Sequence, residues 1–314
     1  MVYKISTMTL NYLVEQQPEQ PQRPQRPPQP QQPPQQPAGK PVTAAPQSQI
    51  TLEELVRKVS ELKFDGIELA FSPPIVDTNK YGTPEGRREL KELLKKNGLQ
   101  VSCLTGRLND ETSLKELANL ALELGTKKVG FLMPVQLKNQ GKSHHEIVEE
   151  VKRYAKMAGD LGVVLVYEVH GNVRLNDKPH DILRLFNDVG SPYFKCQFDF
   201  MHIMRDCSGV LQSPPLDIIE GEWGKLPAIF LRMLGKHVGD VHADDAILNW
   251  TVGIGRTPFG KGFVDFDEAF KALKEIGYEG WITLDIHTIP GDIWKNTIES
   301  KQFLENTLKK LNLR

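Results

Sequence analysis

Four residues able to hold a divalent cation are spaced through the second half of the chain: Glu168, Asp199, His242 and Asp285. Each falls at or near the end of a short run rich in apolar or β-branched residues, as in Val163-Val164-Leu165-Val166-Tyr167-Glu168. Such a run reads as a strand buried on both faces. An ionised carboxylate there is costly to desolvate unless a cation or a substrate dipole meets it. The separations are 31 residues from Glu168 to Asp199, 43 to His242 and 43 to Asp285, which suit successive strand–helix units converging on one point. One acid at one strand end is more often a helix cap or a solvated residue. Four in succession point to a metal. Three oxygen donors and one nitrogen suit Mn2+ or Mg2+, and Co2+ or Zn2+ are compatible by ligand type. His202 follows Asp199 by three residues, while His170 and His287 each lie two residues past an acid, on its strand face. These histidines are candidates for substrate contact or ligand support. Glu68 and Arg107 are further pocket candidates.

The elements that must position these residues alternate regularly. Strands are expected over 2–8, 64–70, 99–104, 127–133, 163–170, 193–200, 237–243 and 281–287. Helices are expected over 84–97, 110–124, 143–161, 181–189, 226–234, 266–276 and 295–311. Thr51-Leu52-Glu53-Glu54 opens one more with a capping-box pattern. Eight strands each followed by a helix, in 314 residues, predict an α/β fold of the (β/α)8 TIM-barrel type, one domain over 1–314. Such barrels place their chemistry at the C-terminal ends of the strands. Residues 15–49 interrupt the pattern with a Pro/Gln-rich stretch that contains no aromatic residue. With so little to bury, it is expected to be a disordered, low-complexity insertion after the first strand; its functional reading is a proline-rich ligand for a protein partner.

Composition narrows the function classes. A net charge of −1, with 39% hydrophobic and 25% charged residues, fits a globular protein and gives no electrostatic case for nucleic acid or an anionic membrane. Met1-Val2-Tyr3-Lys4-Ile5 has no apolar targeting core, and no stretch approaches the roughly 18 apolar residues of a membrane span, so a cytoplasmic location is expected. Cys103, Cys196 and Cys207 lack metal or disulfide spacing and read as small buried hydrophobes. No glycine-rich dinucleotide fingerprint opens a helix after an early strand.

Several segments carry a resemblance in their order and spacing: Phe64-Asp65-Gly66-Ile67-Glu68-Leu69, Val166-Tyr167-Glu168, Asp199-Phe200-Met201-His202 and Val241-His242-Ala243-Asp244-Asp245. Gly260-Lys261-Gly262-Phe263-Val264-Asp265-Phe266 and Gly277-Tyr278-Glu279-Gly280-Trp281-Ile282-Thr283-Leu284-Asp285 continue it. Together they resemble the xylose isomerase-like TIM barrels, or sugar phosphate isomerase/epimerase superfamily, which includes ketose epimerases, hydroxypyruvate isomerase, and inosose and dehydroshikimate dehydratases. The resemblance implies that Glu168, Asp199, His242 and Asp285 ligate the metal, with His202 and Arg256 binding substrate oxygens. It implies a metal-dependent isomerase or epimerase of a ketose, aldose or sugar phosphate. Glu168 would remove a proton to form a metal-stabilised enediolate and Asp285 would return it. The family pattern has Glu where this chain has Asp285, one methylene shorter. The alternatives are a dehydratase on the same site and, outside catalysis, a catalytically impaired polyol-binding protein. A trinuclear-zinc endonuclease is disfavoured, because the extra histidines it needs are replaced by Thr105-Gly106-Arg107, Met133-Pro134 and Gly260-Lys261-Gly262. Subunit number stays open, and a homo-oligomer is compatible.

Overall fold

The computed structural model describes residues 2–12, 50–169, 179–208, 222–249 and 253–314. Eight parallel strands close into a barrel: β1 (Lys4–Met8), β2 (Gly66–Phe71), β3 (Gln100–Gly106), β4 (Lys128–Gly130), β5 (Val164–Glu168), β6 (Phe194–Asp199), β7 (Val238–Ala243) and β10 (Trp281–Leu284). The ring is sealed where β1 pairs with β10, from Lys4 opposite Trp281 to Thr7 opposite Leu284. Helices flank the strands, and the fold is a TIM barrel. Outside the ring, β8 (Asp245–Asn249) and β9 (Gly253–Thr257) form an antiparallel hairpin.

Local chemistry explains the main elements. The barrel strands are buried along nearly their whole length, as parallel strands covered by helices must be. Thr51 and Ser143 each complete a capping box, with Glu54 and Glu146, at the start of helices Leu52–Glu61 and His144–Leu161. Gly162 ends the second of these with φ 81°, a left-handed conformation open to glycine, and the chain turns there into β5. Tyr167 on β5, Phe194 on β6 and Phe186 on helix Pro179–Val189 stack together, the last two with centroids 4.9 Å apart. That cluster fixes the strand ending in Glu168 against its outer helix. At Gly66 a Cβ would fall 2.5 Å from the Gln100 carbonyl oxygen and 2.8 Å from the Trp281 ring, so only glycine lets these strands approach. No described helix is long and apolar enough to cross a membrane.

Some expected boundaries are revised. β4 ends at Gly130, and helix Met133–Asn139 begins where the strand was expected to continue, with Pro134 in its first turn, where proline is tolerated. β10 stops at Leu284 instead of reaching 287, because the Ile286 and His287 N–H groups turn to Asn11 Oδ1, both at 3.0 Å. Helix Phe200–Ser208 starts at once after Asp199, where the sequence reading places no helix. The hairpin β8–β9 is likewise outside the expected alternation. The Pro/Gln-rich segment and His170 lie outside the described residues.

Candidate metal centre

Glu168 is the last residue of β5 and Asp199 the last of β6. His242 stands opposite Asp199 on β7, and Asp285 directly follows β10. Parallel neighbours in register bring their ends to one side of the barrel, so the four side chains meet there. One donor atom from each lies within 4.8 Å of all the others. Asp199, His242 and Asp285 are buried, and Glu168, with 15% of its side chain exposed, is the one that opens to solvent.

The carboxylates are held by protein donors that leave lone pairs for a further ligand. Asp199 Oδ1 accepts the His202 backbone N–H at 2.6 Å, in the manner of a helix cap, which explains why a helix begins so abruptly after β6. Asp199 Oδ2 accepts from Arg256 Nη2 at 3.3 Å. Asp285 accepts from Arg256 Nη2 and is hydrogen-bonded to His287 Nδ1. Its backbone N–H stays in the ladder, donating to the Ala243 carbonyl at 2.9 Å. An ionised carboxylate has about four lone-pair sites, so each of these can also coordinate a cation. The donor set of three carboxylates and one imidazole therefore fits a divalent ion.

Arg256 reaches the site from the hairpin, on β9 opposite Ala246 of β8. Its Nε donates to Asp244 Oδ2 at 2.9 Å and its Nη1 meets His287 Nε2 at 3.2 Å. With Asp199 and Asp285 on Nη2, four of its five N–H groups are engaged by the described residues. The adjacent acids Asp244 and Asp245 divide the labour. Asp245 turns the other way and accepts the backbone N–H groups of Ala246, Gly260, Gly262 and Val264 at 2.8–3.2 Å, folding the following loop around itself. Burial and then Asp199 push Asp244 well above the usual carboxylate range, Arg256 opposing. For Asp285 burial acts upward too, but Arg256 and His287 overcome it and hold the group below that range.

A polar layer lies under the cluster. His242 Nδ1 faces Glu168 Oε1 at 3.0 Å, and its Nε2 faces Glu68 Oε2 at 2.8 Å and Gln197 Nε2 at 2.8 Å. Gln197 Nε2 also donates to Asp240 Oδ2 at 3.0 Å, and Asp240 is paired with Lys128. Glu68, Asp240 and His242 come close enough to suggest a second cation site. The Gln197 amide and the Lys128 ammonium already fill that space with donors and positive charge, which disfavours one. Burial would lower the His242 imidazole, but Glu68 and Glu168 push it well above the usual histidine range. Burial likewise raises Glu68, with His242 pulling it partly back.

Of the sequence candidates, Glu168, Asp199, His242, Asp285, Arg256 and His287 come together at the strand ends. His202 is buried beside them, with its Nε2 3.9 Å from Asp199 Oδ2. Glu68 is 2% exposed and sits beneath His242. Sequence reading missed Asn11, Gln197, Asp240 and Lys128. Period 2 could have found two of them, since Gln197 and Asp240 lie two residues before Asp199 and His242 on the same strand faces. Asn11 could not be found in that way, because its partners Ile286 and His287 are about as far away as the chain allows.

Comparison with known proteins fits this geometry. Residues 56–307 match the family described as the xylose isomerase-like TIM barrel. An inosose dehydratase of Clostridium botulinum is 22% identical over 265 residues, 76% of this chain and 83% of that protein. A ketose 3-epimerase of Arthrobacter globiformis is 27% identical over 252 residues, 73% of this chain and 75% of that protein. A solved xylose isomerase-like TIM barrel protein from Mycobacterium smegmatis, in complex with magnesium, superposes with a TM-score of 0.66 at 15% identity, covering 98% of this chain and 97% of that one. At such identity the structural likeness speaks for the fold alone. By its match over most of its length, this chain belongs to the xylose isomerase-like TIM barrel family.

Proposed function

We propose that this protein is a divalent-metal-dependent isomerase or epimerase that moves a proton on the carbon beside the carbonyl of a small keto sugar or related polyol. The observation that carries the reading is the convergence of Glu168, Asp199, His242 and Asp285 within 4.8 Å at the catalytic face of the barrel. A divalent ion bound there, Mn2+ or Mg2+ by its ligand set, supplies Lewis-acid polarisation of the carbonyl oxygen. Glu168, the partly exposed carboxylate, takes the proton from the adjacent carbon. Asp285 faces the same point from β10 and returns a proton, on the opposite face for epimerisation or to the neighbouring carbon for isomerisation. His202 and the remaining Nη1 N–H of Arg256 are the donors placed to meet substrate oxygens. Relatives named for a ketose and for inosose support the substrate class.

A second reading, a dehydratase, draws on one feature of Asp285. Both of its oxygens are engaged, Oδ2 by Arg256 Nη2 and Oδ1 by His287 Nδ1, which leaves it poorly placed to deliver the proton that epimerisation must return. Elimination of a β-hydroxyl can be run by one carboxylate, Glu168 taking the proton from the carbon beside the carbonyl and handing it to the departing hydroxyl, which leaves as water. The test is incubation with Mn2+ and a panel of ketoses, ketose phosphates and inososes in D2O, followed by NMR. Deuterium beside the carbonyl together with a new sugar supports the epimerase or isomerase, whereas loss of water gives the dehydratase. No exchange with any substrate by the Mn2+-loaded protein sinks both. Glu168→Gln is expected to abolish exchange while the fold is kept.

A further inference from the structure

The barrel interior beneath the cluster is polar where such barrels are ordinarily filled with branched apolar side chains. Glu68 on β2, Lys128 on β4, Gln197 on β6 and Asp240 on β7 meet there, and all but Lys128 are fully or nearly fully buried. We propose that Glu68 is a positioning residue that selects the tautomer of His242. This rests on the reading of the four-residue cluster as a metal site.

The choice of tautomer follows from what surrounds each ring nitrogen. Nδ1 points toward Glu168 and the other ligand atoms, so coordination there requires an unprotonated Nδ1 and a proton on Nε2. Two side chains lie within hydrogen-bonding distance of Nε2, and they impose opposite tautomers. Glu68 Oε2, at 2.8 Å, accepts and so favours Nε2–H. Gln197 presents its amide nitrogen at 2.8 Å, a donor, which favours the proton on Nδ1. Its orientation is set from below, because the same nitrogen faces Asp240 Oδ2 at 3.0 Å and Glu68 Oε2 at 3.4 Å, where an amide oxygen would meet two carboxylates. Lys128 in turn holds Asp240. With Glu68 present the carboxylate wins, since a charged acceptor outcompetes a neutral donor shared with Asp240. Without it, Gln197 donates to Nε2, the proton moves to Nδ1, and His242 donates to Glu168 instead of facing a cation. Glu68 thus acts on the ion through His242.

The experiment compares the wild type, Glu68→Gln, Glu68→Leu and the double variant Glu68→Leu/Gln197→Leu. Mn2+ binding is followed by calorimetry and, because Mn2+ is paramagnetic, the histidine ring nitrogens by 15N NMR of the metal-free proteins at a pH high enough for His242 to be neutral, with circular dichroism melts reporting the fold. Glu68→Leu is expected to weaken Mn2+ binding about 10–100-fold, and Glu68→Gln, which keeps a neutral acceptor, by less. The His242 Nε2 resonance should be that of a protonated nitrogen in the wild type and lose that character in Glu68→Leu. Removing Gln197 as well should recover part of the affinity, an outcome that a merely structural role for Glu68 does not produce. Folded Glu68→Leu with wild-type Mn2+ affinity and an unchanged ring spectrum overturns the proposal. A wild type that binds no Mn2+ overturns the metal reading instead, and the Nε2 resonances of the metal-free proteins then decide the role of Glu68 alone.

Discussion

Replacing Arg256 with methionine removes a cation shared by three buried carboxylates. The guanidinium donates to Asp244 at 2.9 Å, to Asp199 at 3.3 Å and to Asp285. Its side chain is 4% exposed, and the three acids are 0–1% exposed, so water screens little of the interaction. Removing one partner of a buried ion pair costs about 3–5 kcal/mol, because it strands the other charge. Three partners do not triple this figure, because stranded acids can take up protons, and Asp244 is already pushed upward. A loss of about 4 kcal/mol corresponds to a fall of roughly 10 °C in melting temperature for a chain of this size. The pH dependence has a definite sign. Asp285 is held below its unfolded pKa by Arg256 and His287 against the effect of burial. Such a carboxylate adds stability above an unfolded value of about 3.9, and that stability is lost as pH falls below it. In Arg256→Met the contribution is missing, so the deficit is full from neutral pH down to about pH 4 and shrinks as pH falls further below it. Differential scanning calorimetry of both proteins in EDTA across that range measures it. A deficit under about 1 kcal/mol near neutrality, or one that grows on acidification, would refute the shared counter-ion.

Three further outcomes are expected. Asn11→Ala removes the acceptor for the Ile286 and His287 N–H groups and the donor to the Leu284 carbonyl, and stranded buried groups should cost about 3 kcal/mol in urea unfolding; a midpoint within error of wild type contradicts this. Gly262→Ala places a Cβ 2.2 Å from Asp245 Oδ1 and 2.3 Å from the Ala246 carbonyl oxygen, so the Asp245 loop must shift, with an expected loss of about 2 kcal/mol; equal thermal stability would show that the loop gives way freely. Mn2+ at about 100 times its dissociation constant should add about 2.7 kcal/mol of stability, reversed by EDTA and absent in Asp199→Asn. No thermal shift at any Mn2+ concentration counts against the four-residue site.

The sequence by itself determined the architecture and which residues stand at its strand ends. Apolar runs and amphipathic segments alternate so regularly that a barrel could be counted strand by strand, and the residues at four strand ends followed from that count. This worked because the period of a strand and the capping of a helix are local properties, written in neighbouring residues. One boundary failed because distant groups intervened: Asn11, near one end of the chain, draws Ile286 and His287 out of the ladder near the other. Only the tertiary structure decided how the site is supported: that Arg256 spans Asp199, Asp244 and Asp285, that Asp245 holds a loop while Asp244 holds the guanidinium, and that Glu68 lies beneath His242. Sequence spacing can state which side chains reach one end of a barrel. Only folding sets which of them lie within hydrogen-bonding distance, because contacts such as Glu68–His242 and Arg256–Asp199 join elements far apart in the chain.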